Sequence, residues 1–333
     1  MIKVIALTSS RNDPSTRFRV RQFIEPLGRL GVKVSEYYPL ISKYRLERLP
    51  LPAALLRLPG LAATRFGDIT WLGRELLSGR AGLERYAAGK RLFDVDDAIW
   101  LVFKNSFSEE IARESRGVIA GNSFIAEHYE RCGARVWLVP TSVDTGIWRP
   151  AELADDERFT IGWTGTWSNL PYLYQIEEPL AEFLAEHKES RLLVVCDREP
   201  SFERIPAARW QFAAWSPASE VKMVQSMDVG LMPLADTEWA RGKCGFKMLS
   251  YMAAGVPVIV SPVGVNEEIL QKALVGFSAV KLNDWYGALQ SIYNDRGAGR
   301  RMGAAGRKVV EEHYSVKKSA ALLAQIFQEV AGE

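Results

Sequence analysis

The sequence predicts an α/β protein made of two doubly wound, Rossmann-like domains whose strand ends face a central cleft. Three observations predict it. Short apolar runs alternate with stretches of helical spacing, the order of a parallel sheet with crossover helices. That order starts at residue 2 and starts again near residue 159, after a polar, acidic stretch from Ala151 to Glu157 that reads as a linker. The length, 333 residues, suits two domains of ordinary size, each able to bury its own core. The expected division is 1–150, 151–312 and a helical tail over 313–333.

The first strand is Ile2 to Leu7, followed by a loop running through Ser10, Arg11 and Pro14. A helix from about Thr16 to Leu30 shows Phe18, Phe23, Ile24, Leu27 and Leu30 as its apolar face and Gly31 as its stop. Val32 to Tyr38 is the second strand. The loop after the first strand of such a sheet faces the ligand crevice, and it holds no glycine, which argues against dinucleotide binding. Arg17 and Arg19 flank it. Their forked guanidinium groups suit phosphate or carboxylate and make them the better candidates here for an anionic ligand, against the usual reading of a single arginine as part of a solvated basic face. Leu40 to Phe66 is rich in Leu, Pro and Arg, with Arg45, Arg48, Arg57 and Arg65 among the leucines. Such a stretch can lie on an anionic membrane surface or fold as a helical insertion on its own domain. Asp68 to Glu75 and Arg91 to Val95 read as strands, and the second runs into Asp94-Val95-Asp96-Asp97. Carboxylates after a strand end can bond sugar hydroxyls, act as base, cap a helix or hold a cation. Glu109 to Glu114 and Ser123 to Cys132 are helical, Asn122 is a helix cap, and Gly117 to Ala120 and Val136 to Val139 are strands.

The second half repeats the pattern. Phe159 to Trp163 is a strand, followed by a turn over Gly165, Thr166, Trp167, Ser168 and Asn169 and a helix from Leu173 to His187. Leu192 to Cys196 and Val229 to Met232 are strands, with a helix from Val221 to Ser226 between them. Then Arg241-Gly242-Lys243-Cys244-Gly245 enters a helix carrying Lys247 and Ser250 that stops at Gly255, and Pro257 to Val260 is a buried strand. Two cations and small residues at a helix entry, where N–H groups lack intrahelical partners, can hold a phosphate. The tail from Val309 to Val330 is helical.

Tyr251-Met252-Ala253-Ala254-Gly255-Val256-Pro257-Val258-Ile259, with Ser261-Pro262-Val263-Gly264 behind it, resembles the donor-binding segment of retaining GT-B glycosyltransferases of family 4. Val139-Pro140-Thr141-Ser142-Val143-Asp144, with Trp148 and Pro150, is similar to the signature closing that family's first domain, and looser matches extend the resemblance over most of the chain. The resemblance implies transfer of a sugar from a nucleotide-diphosphate donor to a hydroxyl on a glycan or lipid-linked acceptor, with no metal and no other cofactor. It implies Asp96 and Asp97 as catalytic carboxylates and Ser10, Arg17 and Arg19 on the acceptor side. Donor contacts fall to Gly165, Thr166, Trp167, Asn169, Arg241, Lys243, Cys244, Gly245, Lys247 and Ser250, the alternative for the lysines being plain exposure. Two glutamates common in the family stand here as Gly242 and Ser250, and a first-domain histidine is absent before His128. That departure keeps a second reading open, a nucleotide-sugar-binding protein without transferase activity or needing a partner subunit.

Composition excludes other classes. With 47% hydrophobic and 25% charged residues the chain is globular, and a net charge of +2 does not suggest nucleic acid. Cys132, Cys196 and Cys244 suggest neither disulfides nor a zinc site, and a reducing cytoplasm is expected, with contact at the inner membrane face as an option. No run approaches the length of a spanning helix, and no signal peptide is recognisable. His128, His187 and His313 sit late in helical segments and read as exposed cations at helix ends.

Overall fold

The computed structural model describes residues 1–11, 13–41, 48–103, 105–151 and 158–333. The expected linker, apart from Ala151, and Arg45 of the basic stretch lie outside these residues. The chain forms two compact units: Met1–Ser142 with Arg241–Cys244 and Val316–Glu333, and Val143–Ala240 with Gly245–Ser315.

The first unit is a parallel sheet of β1 (Ile2–Leu7), β2 (Val32–Tyr37), β3 (Ile69–Gly73), β4 (Lys90–Val95), β5 (Gly117–Ala120) and β6 (Val136–Leu138), in the order β2-β1-β3-β4-β5-β6. Alternate side chains go to opposite faces, as the pleat requires. Val4, Ala6, Ile69, Trp71 and Leu92 enter one core with Phe23 and Leu27, while Ile5, Leu7, Leu72, Phe93 and Val95 enter the other with Ile111 and Tyr129. The helix Val316–Gly332 completes the first of these cores, where the Phe327 ring meets Trp71 edge-on at 5.2 Å.

The second unit holds β7 (Phe159–Gly165), β8 (Ser190–Cys196), β9 (Trp210–Ala214), β10 (Val229–Met232), β11 (Val258–Val260) and β12 (Gly276–Ser278), in the order β12-β11-β10-β7-β8-β9, again all parallel. Phe159, Ile161, Trp163, Leu192 and Val194 face one core, and Leu193, Val195, Val258 and Val260 face the other. Both units are therefore Rossmann-like, as the strand pattern predicts.

Several elements differ from the sequence reading. The predicted helix from Thr16 to Leu30 is irregular: a wide π turn over Thr16–Val20, a tight 3₁₀ turn over Arg21–Phe23 and an α-helix over Ile24–Arg29. Its buried residues are Thr16, Arg19, Val20, Phe23 and Leu27, while Leu30 is 44% exposed. The wide π turn shifts the register, and Arg19 is among the residues that face inward. The helix read from Leu173 to His187 is two helices, Leu170–Tyr174 and Glu177–Glu186. The tail likewise divides into Arg296–His313 and Val316–Gly332. Arg57 also departs from the basic-face reading. It is buried and donates to the carbonyls of Thr8 (2.5 Å) and Leu76 (3.1 Å), joining the helix Leu58–Ala63 to the ends of the sheet.

Candidate active site

A doubly wound sheet opens a crevice where its strand order reverses, at the carboxyl ends of the two strands flanking the reversal. In the first unit those strands are β1 and β3, and in the second they are β7 and β10.

At the first reversal β3 ends in Gly73-Arg74. Arg74 has φ +69°, unusual for a residue with a side chain, and its N–H bonds the Asp94 carbonyl at 3.0 Å. This backbone turn carries its guanidinium to the carboxylates after β4: Nη1 lies 3.3 Å from Asp97 Oδ2 and 3.9 Å from Asp96 Oδ1. Asp96 Oδ2 also accepts from Ser15 Oγ at 2.5 Å. Burial pushes the Asp97 carboxyl up to about 6, helped by the Asp96 charge, with Arg74 and Lys243 pulling the other way. Asp94 does different work. It is buried, accepts from Arg19 Nε at 2.8 Å and from Trp71 Nε1 at 3.1 Å, and burial pushes it up to about 6 against the lowering by Arg19.

Of the expected acceptor-side residues, Arg19 is 2% exposed and engaged with Asp94 and with the Val139 carbonyl at 2.7 Å, so its guanidinium is a counter-ion inside the unit. Arg17 is half-buried with its guanidinium 4.7 Å from the Phe18 ring centroid, and Ser10 is half-buried in the loop after β1.

Three expected donor residues belong to this same unit. Asn122 caps the helix Ser123–Arg131 through Ile125 N–H at 2.8 Å, and its amide also donates to the carbonyls of Arg241 (3.3 Å) and Lys243 (3.1 Å). Cys244 donates its thiol to the Asp96 carbonyl at 3.1 Å, and burial pushes that thiol far above its ordinary range, so it stays neutral. Gly242 is required by close approach, since a Cβ there would lie 2.4 Å from Ala98 Cβ and 2.9 Å from Ala98 N. Arg241 is exposed and Lys243 half-buried.

At the second reversal the loop after β7 is held by its own side chains. Asn169 donates to Thr166 Oγ1 at 2.8 Å, and Trp167 N–H donates to Asp197 Oδ1 at 2.7 Å. The Trp167 ring is 50% exposed, with the Arg198 guanidinium 4.4 Å from its centroid. Lys247 lies in the first turn of the helix Phe246–Ala253, and its Nζ sits 4.4 Å from the Trp163 ring centroid. A Cβ on Gly165 would come within 2.8 Å of that ammonium, so glycine at the strand end leaves the cation its place. Gly245, at φ +68°, caps the helix where a Cβ would press on Val265 at 3.1 Å. Ser250 is 2% exposed and its hydroxyl donates to the Lys247 carbonyl at 2.7 Å.

The structure thus brings Gly165, Thr166, Trp167, Asn169, Gly245, Lys247 and Ser250 into the second unit, and Arg241, Lys243 and Cys244 into the first with Asp96 and Asp97. Sequence reasoning missed Ser15, Arg74, Asp197 and Arg198. Arg74, Asp197 and Arg198 stand directly after strands β3 and β8, and the strand-end rule alone would have marked them.

Residues 158–295, which span the whole second sheet, match the family model described as glycosyl transferases group 1. No curated protein sequence matches the chain. Among solved structures, the chain is similar to sucrose-phosphate synthase from Thermosynechococcus elongatus, at TM-score 0.73 and 15% identity over 99% of each chain. It is similar to a glycosyltransferase from Rickettsia africae, at TM-score 0.70 and 14% identity over 99% of this chain and 98% of the other. It is also similar to Anabaena HepE in complex with UDP and glucose, at TM-score 0.69 and 12% identity over 98% of this chain and all of that one. At these identities the likeness is one of fold, that of the GT-B class with its two Rossmann-like domains.

Proposed function

We propose that this protein is a retaining glycosyltransferase, family 4-like, that moves a sugar from a nucleotide-diphosphate donor to a hydroxyl of a glycan or lipid-linked acceptor. The observation that carries the reading is Lys247, an ammonium in a helix first turn beside a glycine at the carboxyl end of β7, where the second sheet reverses. The family match to the second sheet and the UDP and glucose bound by HepE support it. In the reaction the bond from the anomeric carbon to the donor phosphate oxygen breaks and the acceptor oxygen bonds that carbon. The nucleoside diphosphate leaves with its charge met by Lys247 and the positive end of the helix Phe246–Ala253. Asp97, with a carboxyl poised near neutrality, takes the acceptor proton, and Asp96 orients the hydroxyl. Trp167 offers a flat exposed face to the nucleotide base. The reaction needs no divalent cation.

The reading includes a cytoplasmic site of action with peripheral contact at the inner membrane face and no role for nucleic acid. Leu51, Leu55 and Leu58, exposed by 78%, 64% and 51%, would provide that contact. No helix among the described residues is long and apolar enough to cross a membrane.

A specific observation favours a second reading, donor binding without transfer or with a partner subunit required. The two positions that the family resemblance gives to glutamates hold Gly242, which has no side chain, and Ser250, whose hydroxyl is buried against the Lys247 carbonyl. Incubation with a panel of nucleotide sugars and lipid-linked or free glycan acceptors, with release of nucleoside diphosphate as the readout, separates the two. Turnover that survives EDTA is expected. Tight donor binding with no release from any donor would select the second reading.

A further inference from the structure

One cluster takes no part in the proposed transfer. Glu109, on the helix Phe107–Arg113, and His128 and Cys132, one turn apart at the end of the helix Ser123–Arg131, bring a carboxylate oxygen, an imidazole nitrogen and a thiol within 4.8 Å of one another. All three are half-buried, within reach of solvent but not spread on the surface. Their orientation is fixed from outside. Ser108 Oγ donates to Glu109 Oε2 at 2.9 Å, which turns Oε1 toward His128 Nε2, 3.0 Å away. The imidazole lies flat on the Trp100 indole, with centroids 3.7 Å apart and planes within 1°.

We propose that Glu109, His128 and Cys132 bind one zinc-class divalent cation, with three protein ligands and a fourth position left to solvent. Small side-chain movements bring all three atoms to the roughly 2.0–2.3 Å that zinc requires of oxygen, nitrogen and sulfur. The donor set selects a borderline-soft metal, because Mg²⁺ and Ca²⁺ take oxygen ligands. Charge balances: Cys132 gives its proton to solvent on binding, and the resulting thiolate, the Glu109 carboxylate and the dication sum to zero around a neutral imidazole. Ser108 and Trp100 act as the outer shell that orients the ligands. The sequence reading passed over this site because the Glu109 ligand comes from another helix, 19 residues before His128.

The test uses the full chain, freed of metal by chelation and titrated with Co²⁺, which takes zinc sites and reports a bound thiolate by a charge-transfer band. One equivalent should produce that band with tetrahedral visible absorption, and Zn²⁺ should erase both. Cys132→Ser should lose the charge-transfer band, and Glu109→Gln should weaken cobalt affinity at least tenfold. Zinc should raise the melting temperature of the parent and leave that of Cys132→Ser unmoved. Absence of the band in the parent, its survival in Cys132→Ser, or an equal zinc-induced melting shift in parent and Cys132→Ser would each overturn the proposal. Turnover in the chelated enzyme is independent of this outcome, so the transferase reading stands or falls separately.

Discussion

Asp97 ties pH to stability and, in the proposed transfer, to chemistry. Its folded-state pKa, about 6, lies above the ordinary 3.8, so the folded chain holds this proton more tightly than the unfolded chain does. Its favourable contribution to folding is therefore complete below about pH 4 and is lost as pH rises through 6. Asp97→Asn should raise the melting temperature by a few degrees at pH 8 and by nothing at pH 4, as read by calorimetry at both pH values. If Asp97 is the base, the same variant should lose turnover, and parent turnover should fall as pH drops below about 6. Arg19 offers the contrasting case of a buried cation whose partner is fixed. Arg19→Met leaves Asp94 buried with, among the described residues, the Trp71 N–H as its remaining side-chain donor, and should cost about 3–5 kcal/mol in denaturant unfolding. Lys247→Ala should weaken nucleoside diphosphate binding by about 1.5–3 kcal/mol and nucleoside binding much less, which isothermal titration with both ligands would show. None of these pairings is local in sequence: Arg19 and Asp94 are 75 residues apart, and only the sheet brings them together. Sequence reasoning could mark each side chain as a candidate, but could not tell a counter-ion from a ligand-binding cation.

Elements were legible in proportion to how continuously they are buried. Val229–Met232 is buried at every position and its bounds follow from the apolar run alone. Trp210–Ala214 is an edge strand with no fully buried residue, and Gly276–Ser278 is three residues long, so neither carries enough period or hydrophobicity to be read. The helix Phe246–Ala253 was read from its spacing and its glycine stop, whereas the reason it is held in place was not visible. The helix Arg296–His313 lies so close to it that a Cβ on Gly303 would sit 1.8 Å from the Gly255 carbonyl oxygen, and Arg307 donates to the Ala253 carbonyl at 2.7 Å. Gly303→Ala must therefore push the two helices apart. It should destabilise the protein by about 1–3 kcal/mol and also weaken donor binding, because the displaced helix carries Lys247. Unfolding in urea and donor titration on the same variant check both halves, and a stable variant with parental affinity would contradict the close approach.

At the scale of the whole chain, the two units have separate cores but do not divide the sequence at one point. The last helix, Val316–Gly332, is the farthest in sequence from β1, yet Val316, Leu323, Ile326, Phe327 and Val330 are buried with Val4, Ala6, Phe23 and Trp71. At about 1.5–3 kcal/mol for each large apolar side chain withdrawn from water, these five contribute on the order of 8–15 kcal/mol. That equals the whole stability of an ordinary domain, about 5–15 kcal/mol. Truncation after Ser315 should consequently unfold the first unit even though it removes nothing from residues 1–142. It should spare the second unit, whose cores contain none of the deleted residues. Hydrogen exchange followed by mass spectrometry on the full and truncated chains reads this directly. Peptides covering β1, β3 and β4 should exchange at unprotected rates in the truncated chain, and peptides covering β7, β8 and β10 should keep their protection. Preserved protection in β1 and β3 would mean that the first sheet is stable without its C-terminal helix, and that the burial around Phe327 is worth far less than its area implies.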